Sequence, residues 1–291
     1  GEDKLQGMSE MLQKMGITVN AYLPAADLQT IKKAPQAALN IVRRKKWALA
    51  MEQRFGTPFL HVADMQEWHG IEGISDLYRQ IGKMLGCEDA VEHVLQEEYE
   101  RVAARYQELR AEFAKYKFCL IAHGIAYLPD ALRVYQQDYG LPIEKICIIM
   151  NPSYQAETGL DDAMMQRFKD RIELAKAEYG CEAQVLLEPS EDALREAAQS
   201  CDFVICNGHP RYASLNVPVL YNLFDRSVWN YQGFVDIMEE VWQMLQQPQR
   251  TGSSLLLSKL AYDPVFYPMR EADKDSKAAR ELYSRVWRQR K

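Results

Sequence analysis

KFCLIAHG, residues Lys117 to Gly124, is a continuous apolar run from Phe118 to Ala122 that stops at His123-Gly124. After a short gap a helical pattern begins near Pro129. A strand apolar on both faces belongs to a parallel sheet covered by helices, and the ligands of such sheets gather where the strands end. His123 and Gly124 are therefore expected on the rim of a site.

Working outward, four more strand-like runs follow: KICIIM, AQVLLE, DFVIC and VPVLYN. Helical patterns near Pro129 to Tyr139, Asp161 to Tyr179 and Glu191 to Gln199 separate them, and a core helix runs from about Gly233 to Leu245. Strands alternating with helices predict a doubly wound α/β lobe. Upstream, residues 89–116 lack Gly and Pro and place Leu95, Tyr99, Val102, Tyr106, Leu109 and Phe113 at spacings of four and three. This predicts a long helix, read as a connector between lobes, with a self-associating coiled coil as the alternative. Further upstream a helix ends at Gly16, and GITVNAYLP, ALNIV and TPFLHV read as three strands of a smaller α/β unit, with helices near Asp27 to Ala34, through Glu52 and from Ser75 to Leu85. The expected division is a smaller lobe over 1–88, the connecting helix over 89–116, the five-stranded lobe over 117–248 and a C-terminal tail over 249–291. From Arg270 to Lys291 the tail has eight Lys or Arg against four Asp or Glu, with Leu282, Val286 and Trp287 on one side: a solvated helix or a partner-docking one. A chain that starts at Gly1 in mid-pattern is expected to be a piece of a longer protein.

The 291 residues are 47% hydrophobic and 26% charged, the make-up of a globular protein with ample core. The net charge of −6 argues against nucleic-acid or membrane-surface binding through bulk electrostatics. No run approaches the roughly 20 apolar residues of a spanning helix and no signal-peptide pattern is present, so the expected location is cytoplasmic. Six cysteines form no CxxC pair, and Cys119, Cys147 and Cys206 lie within strand-like runs, where a thiol acts as a small hydrophobe. Cys201 and Cys206 bracket DFVI, about 16 Å apart if extended, too far for one metal.

Phosphate-loop, dinucleotide, zinc-protease and nucleophile-elbow motifs are absent, and the glycine-bearing HGIEG at 69–73 lacks a phosphate-holding lysine. Strand ends nominate the ligand-binding candidates: Arg43 and Arg44, His61, His123, Gly124, Asn207, Gly208 and His209, with Asp64, Asn151, Asp225 and Arg226 also on rims. Arg43 and Arg44 read either as an anion site or as the basic start of a solvated helix. His61 reads as a ligand or a hydrogen-bonded strand-end residue, and His209, followed by Pro210 and Arg211, as a ligand or a loop-shaping residue. Gly124 allows a ligand close to the backbone. A metal held by His61, His123 and His209 has the right ligand type, with no spacing to demonstrate it. His69 and His93 receive no role.

The order of motifs resembles a known family. ALNIV, MEQRFGTPFLHV and GIEGISDLYRQIGKMLG look like the strand, strand entry and "G, then LRxIA" helix of nitrogenase component 1 type proteins. KFCLIAHG and DYGLPIEKICIIM look like that family's next strand and its helix-to-strand step. SCDFVICNGHPRYASLNVPVLYN and NYQGFVDIMEEVWQML resemble its closing pattern, the whole match covering roughly Gly16 to Leu245. The resemblance implies two Rossmann-like lobes with parallel sheets joined by a long helix, a chelatase-like architecture. It also implies paired subunits, a homo- or hetero-oligomer, receiving electrons from an ATP-dependent iron-sulfur reductase. The segment that usually carries bridging-cluster cysteines is not seen, so an iron-sulfur cluster or metal cofactor is expected only with a further domain or a partner subunit. Where the catalytic nitrogenase subunit has a cofactor cysteine this chain has Arg43-Arg44, and where it has a histidine this chain has Leu223-Phe224-Asp225. The expected function is an electron-accepting reductase component with a ligand or metal-cofactor cleft between lobes, not a molybdenum-iron-cofactor nitrogenase. The alternative is a non-catalytic binding or scaffold module for a tetrapyrrole, a metal complex or a partner subunit.

Overall fold

The computed structural model describes residues 6–22, 27–62, 67–123, 128–149, 162–206, 212, 215, 217–221 and 228–246. The tail expected over 249–291, with its charged helix, lies outside them. Helix α1 spans Gln6–Lys14 and α2 spans Leu28–Lys33, capped by the Asp27 side chain accepting from the Thr30 N–H. Strand β1 (Asn40–Val42), helix α3 (Lys45–Phe55) and strand β2 (Phe59–His61) follow. The two strands pair in parallel with Val42 opposite His61.

Within GITVNAYLP, residues 17–22 join no ladder, and Leu23 and Pro24 lie outside the described residues. The Ile17 N–H closes α1 on the Leu12 carbonyl at 2.8 Å. Asn20 Nδ2 donates to the Lys33 carbonyl at 2.7 Å and the Tyr22 hydroxyl meets Ser9 Oγ at 2.6 Å. Ile17 and Val19 pack against the core, so the alternation reflects an extended segment laid over other elements. Among the described residues the small sheet therefore has two strands, not three.

Helix α4 (Gly70–Leu85) leads into α5 (Glu88–Phe113), whose 26 residues reach about 39 Å. Leu95, Val102, Tyr106, Leu109 and Phe113 on its seam are buried. Next come β3 (Phe118–His123), α6 (Leu128–Leu132), a π-helix over Arg133–Tyr139, β4 (Ile143–Ile149) and α7 (Asp162–Glu178). Strands β5 (Gln184–Leu187), β6 (Phe203–Cys206) and β7 (Val219–Tyr221) complete the sheet, with α8 (Glu191–Gln199) between β5 and β6, and α9 (Tyr231–Gln246) ends the described chain. All five strands are parallel in the order β5-β4-β3-β6-β7.

The sheet is buried on both faces. Phe118, Leu120 and Ala122 face a core shared with α4, α5, the π-helix and α9. Cys119 and Ile121 face a second apolar cluster with Cys147, Val204, Cys206 and the α8 residues Leu194, Ala197 and Ala198. Burying the two faces removes the polar alternation of a half-exposed strand, which is why these runs read as uniformly apolar.

Candidate functional site

The chain runs from β3 to β4 and β5 on one side, then returns to lay β6 and β7 on the other, so the winding reverses between β3 and β6. Crevices for ligands open at the carboxyl ends of such strands. Ile121 is opposite Cys206, which places the ends of β3 and β6 side by side. His123 is the last residue of β3, in register with Ile149 of β4. Gly124, Asn207, Gly208 and His209 lie outside the described residues, as do Asp64, Asn151, Asp225 and Arg226.

The small sheet has a rim of its own. Arg43 and Arg44 leave β1 directly after Val42 and are exposed, and Arg44 is the N-cap residue of α3. His61 closes β2 opposite Val42 and is half-buried. Arg43, Arg44 and His61 thus share one rim, while His123 ends a strand of the other sheet.

A buried polar clasp ties the connection after β2 to the element after β3. Arg133 Nη1 is 2.9 Å from Asp138 Oδ2, and the carboxylate side chain is only 3% exposed. An α-helix brings residues three or four apart together, whereas the i→i+5 bonding of a π-helix brings Arg133 and Asp138 onto one side. The Nη2 group of Arg133 donates to the Glu67 carbonyl at 3.0 Å and the His69 carbonyl at 3.1 Å. Asp138 Oδ1 accepts from the Glu72 N–H at 3.3 Å, in the first turn of α4. His69 Nε2 meets the Tyr139 hydroxyl at 3.1 Å, and Phe234 packs edge-on against both rings. The Tyr106 hydroxyl donates to the Asp138 carbonyl at 2.8 Å.

HGIEG is thus the start of a helix, not a phosphate loop. Gly70 holds φ +84°, and a Cβ there would overlap the Asp138 carboxylate, whose own Cβ is 2.9 Å away. A Cβ on Gly73 would fall 2.6 Å from the Glu67 carbonyl oxygen. The glycines admit the clasp, and tertiary packing overrides their poor helix propensity.

Burial governs the charges of the clasp. It raises the Asp138 carboxyl to about 6, against the pull of Arg133. It lowers His69 to about 3, helped by the positive charge of Arg133, so the imidazole is neutral at pH 7. His69, given no role from sequence, is therefore part of the polar centre of the fold. His93 is an exposed residue of α5 near Glu97.

The thiols form no cluster-binding set. Cys119 and Cys147 approach to 3.8 Å between sulfurs inside the apolar cluster that also holds Cys201 and Cys206. The Cys119 thiol is pushed up by its hydrogen bond to Cys147 and by burial, and burial pushes Cys206 up to about 12. Cys119 and Cys206 thus stay protonated and are poor ligands, while the hydrogen bond with Cys119 lowers Cys147 against its burial. Among the described residues no group of three or more His, Cys, Asp or Glu side chains could hold a metal ion. The donor set described does not fit an iron-sulfur cluster. The His61, His123 and His209 combination includes a residue outside that set.

Two parallel sheets, a five-stranded doubly wound one and a small one, packed with a long helix, define an α/β protein of Rossmann-like type. The nitrogenase component 1 type oxidoreductase model matches residues 2–246, and the chain belongs to that family. The nitrogenase Cp1 structure at pH 5 is similar at TM-score 0.56 and 15% identity, over 87% of this chain and 55% of that one. Nitrogenase Cp1 at pH 6.5 is similar at TM-score 0.55 and 15% identity, over 84% of this chain and 56% of that one. The chain thus spans about half the length of these structures. No curated protein matches the sequence. Among the described residues no helix is long and apolar enough to cross a membrane.

Proposed function

We propose that this chain is the electron-accepting unit of a nitrogenase component 1-like oxidoreductase assembly, with its ligand held between the rims of the two sheets. Family membership and the winding reversal between β3 and β6 support this reading, the reversal being the observation that carries it. Arg43 and Arg44 supply fixed positive charge for a carboxylate or phosphate of the ligand, and His61 stands opposite them across the small sheet. On the larger sheet the sequence nominates His123, which ends β3, with Gly124, Asn207, Gly208 and His209 as further ligand contacts. Clusters, and any metal cofactor, come from a further domain or a partner subunit, and the assembly draws its electrons from an ATP-dependent iron-sulfur reductase. The ligand is not the molybdenum-iron cofactor held in the nitrogenase manner, because Arg43-Arg44 stands where the cofactor cysteine would be.

The test is an anaerobic preparation of the chain with a cluster-bearing partner subunit and the reductase. The expected result is ATP-dependent electron uptake, seen as a change in visible absorption, that is lost when the chain is omitted and weakened in the R43E/R44E variant. No ATP-dependent electron uptake in that mixture, or uptake unchanged when the chain is omitted, would overturn the enzyme reading in favour of a scaffold module.

A further inference from the structure

Among the described residues, those of 27–62 are short of cover. Helix α2 buries none of its residues, and the 11-residue α3 buries only Ala48. The 16-residue α4 buries eight. Helices of this length are marginal in water and take their stability from tertiary packing. On α3 the i, i+4, i+8 positions are Trp47, Met51 and Phe55, a single helical stripe. Trp47 is 65% exposed and Phe55 47%, with Arg54 lying over the Phe55 ring at 5.4 Å. An aromatic stripe in water beside arginine has the composition of an interface core.

The charge around this stripe is equally lopsided. Residues 27–62 hold seven Lys or Arg against two acidic residues, a local charge of +5 in a chain of net −6. Lys45 and Lys46, both exposed, begin the helix that carries the stripe. Two copies meeting through the same patch would set +5 against +5, so the charge disfavours a symmetric self-pairing. We propose that the α3 face is a docking surface for a different protein, one that presents an apolar strip edged with carboxylates. Trp47 is its anchor, and Lys45, Lys46 and Arg54 meet the acidic edge. This inference does not need the oxidoreductase reading: it rests on the α3 face, and without the two rim arginines the segment is still +3.

The probe is a synthetic amphipathic helix of about 18 residues, apolar at i, i+3, i+4 and i+7 with glutamate elsewhere, and a counterpart with lysine for glutamate. Binding is read by titration calorimetry and by protection of Trp47 fluorescence from iodide. The acidic peptide is expected to bind and the basic one to bind at least about tenfold more weakly. Affinity for the acidic peptide should fall at least about tenfold in W47E and in K45E/K46E, and again when salt rises from about 0.05 M to 0.5 M. Leu174→Glu, at another highly exposed apolar position, should leave it unchanged. All the substituted side chains are exposed, and circular dichroism checks that each variant folds. Equal binding of the two peptides, no binding, or binding indifferent to W47E would overturn the proposal. Self-association of the chain alone that W47E abolishes would overturn it too, giving the face to a second copy.

Discussion

Gly70→Ala is the sharpest test of the clasp. The substitution adds one methyl group, and two effects follow. An alanine at φ +84° costs about 1–2 kcal/mol in backbone strain. Its Cβ also overlaps the Asp138 carboxylate, which must leave Arg133 and the Glu72 N–H. Breaking a buried ion pair costs about 3–5 kcal/mol, and partial relaxation brings the expected total to about 4 kcal/mol. Gly86→Ala is the internal control: φ is +68°, but nothing lies within 4 Å of the added Cβ, so strain alone operates. Thermal unfolding should therefore place G70A about 10 °C below the parent and G86A about 4 °C below. Asp138→Ala removes the ion pair and the carboxylate part of the overlap, leaving only its Cβ, 2.9 Å from the added methyl. The double variant G70A/D138A should consequently be more stable than the sum of the two single losses, by about 2 kcal/mol. Midpoints for G70A and G86A that agree within about 2 °C would refute the reasoning, because the overlap would then contribute nothing.

Three further outcomes are expected. His69 is lowered to about 3, so the unfolded chain binds a proton that the folded one refuses as pH falls below about 6.5. Stability is thereby lost on acidification, on the order of 3 kcal/mol by pH 4, and His69→Gln should flatten that limb of a urea-midpoint series. Asp138, raised to about 6, has the opposite sign: its contribution is present below about pH 4 and lost as pH rises to about 6. Asp138→Asn should thus steepen the acid limb that His69→Gln flattens, and two variants with the same pH profile would contradict the assignment. In a thiol titration of the native protein, half-buried Cys87 should react ahead of the other five cysteines, all buried, which should wait for unfolding. Prompt reaction of three or more thiols would show that the apolar cluster around Cys119 and Cys147 is open.

The sequence makes the five-stranded sheet readable for a definite reason. All four residues of β6 are buried and β3 alternates between two apolar clusters, so two-sided burial is written into composition alone. Residues 17–22 mislead because an extended segment pinned by side chains has the same alternation as a strand, and only a pairing partner distinguishes the two. The strand ends are legible as rims for the same reason the strands are. The clasp is not legible. Arg133 and Asp138 meet because a π turn replaces an α turn, and helical spacing instead pairs Arg133 with Gln137. His69 and Asp138 come from distant parts of the chain, and nothing local marks them as neighbours. The one signal was the pair of glycines at 70 and 73 at the start of a helix, where propensity alone would place neither. A glycine that helix formation does not want is there for something that packs against it, and here that is a carboxylate from the second sheet's own crossover. The connection after β2 is thereby fixed to the crossover after β3 by contacts that no local spacing announces.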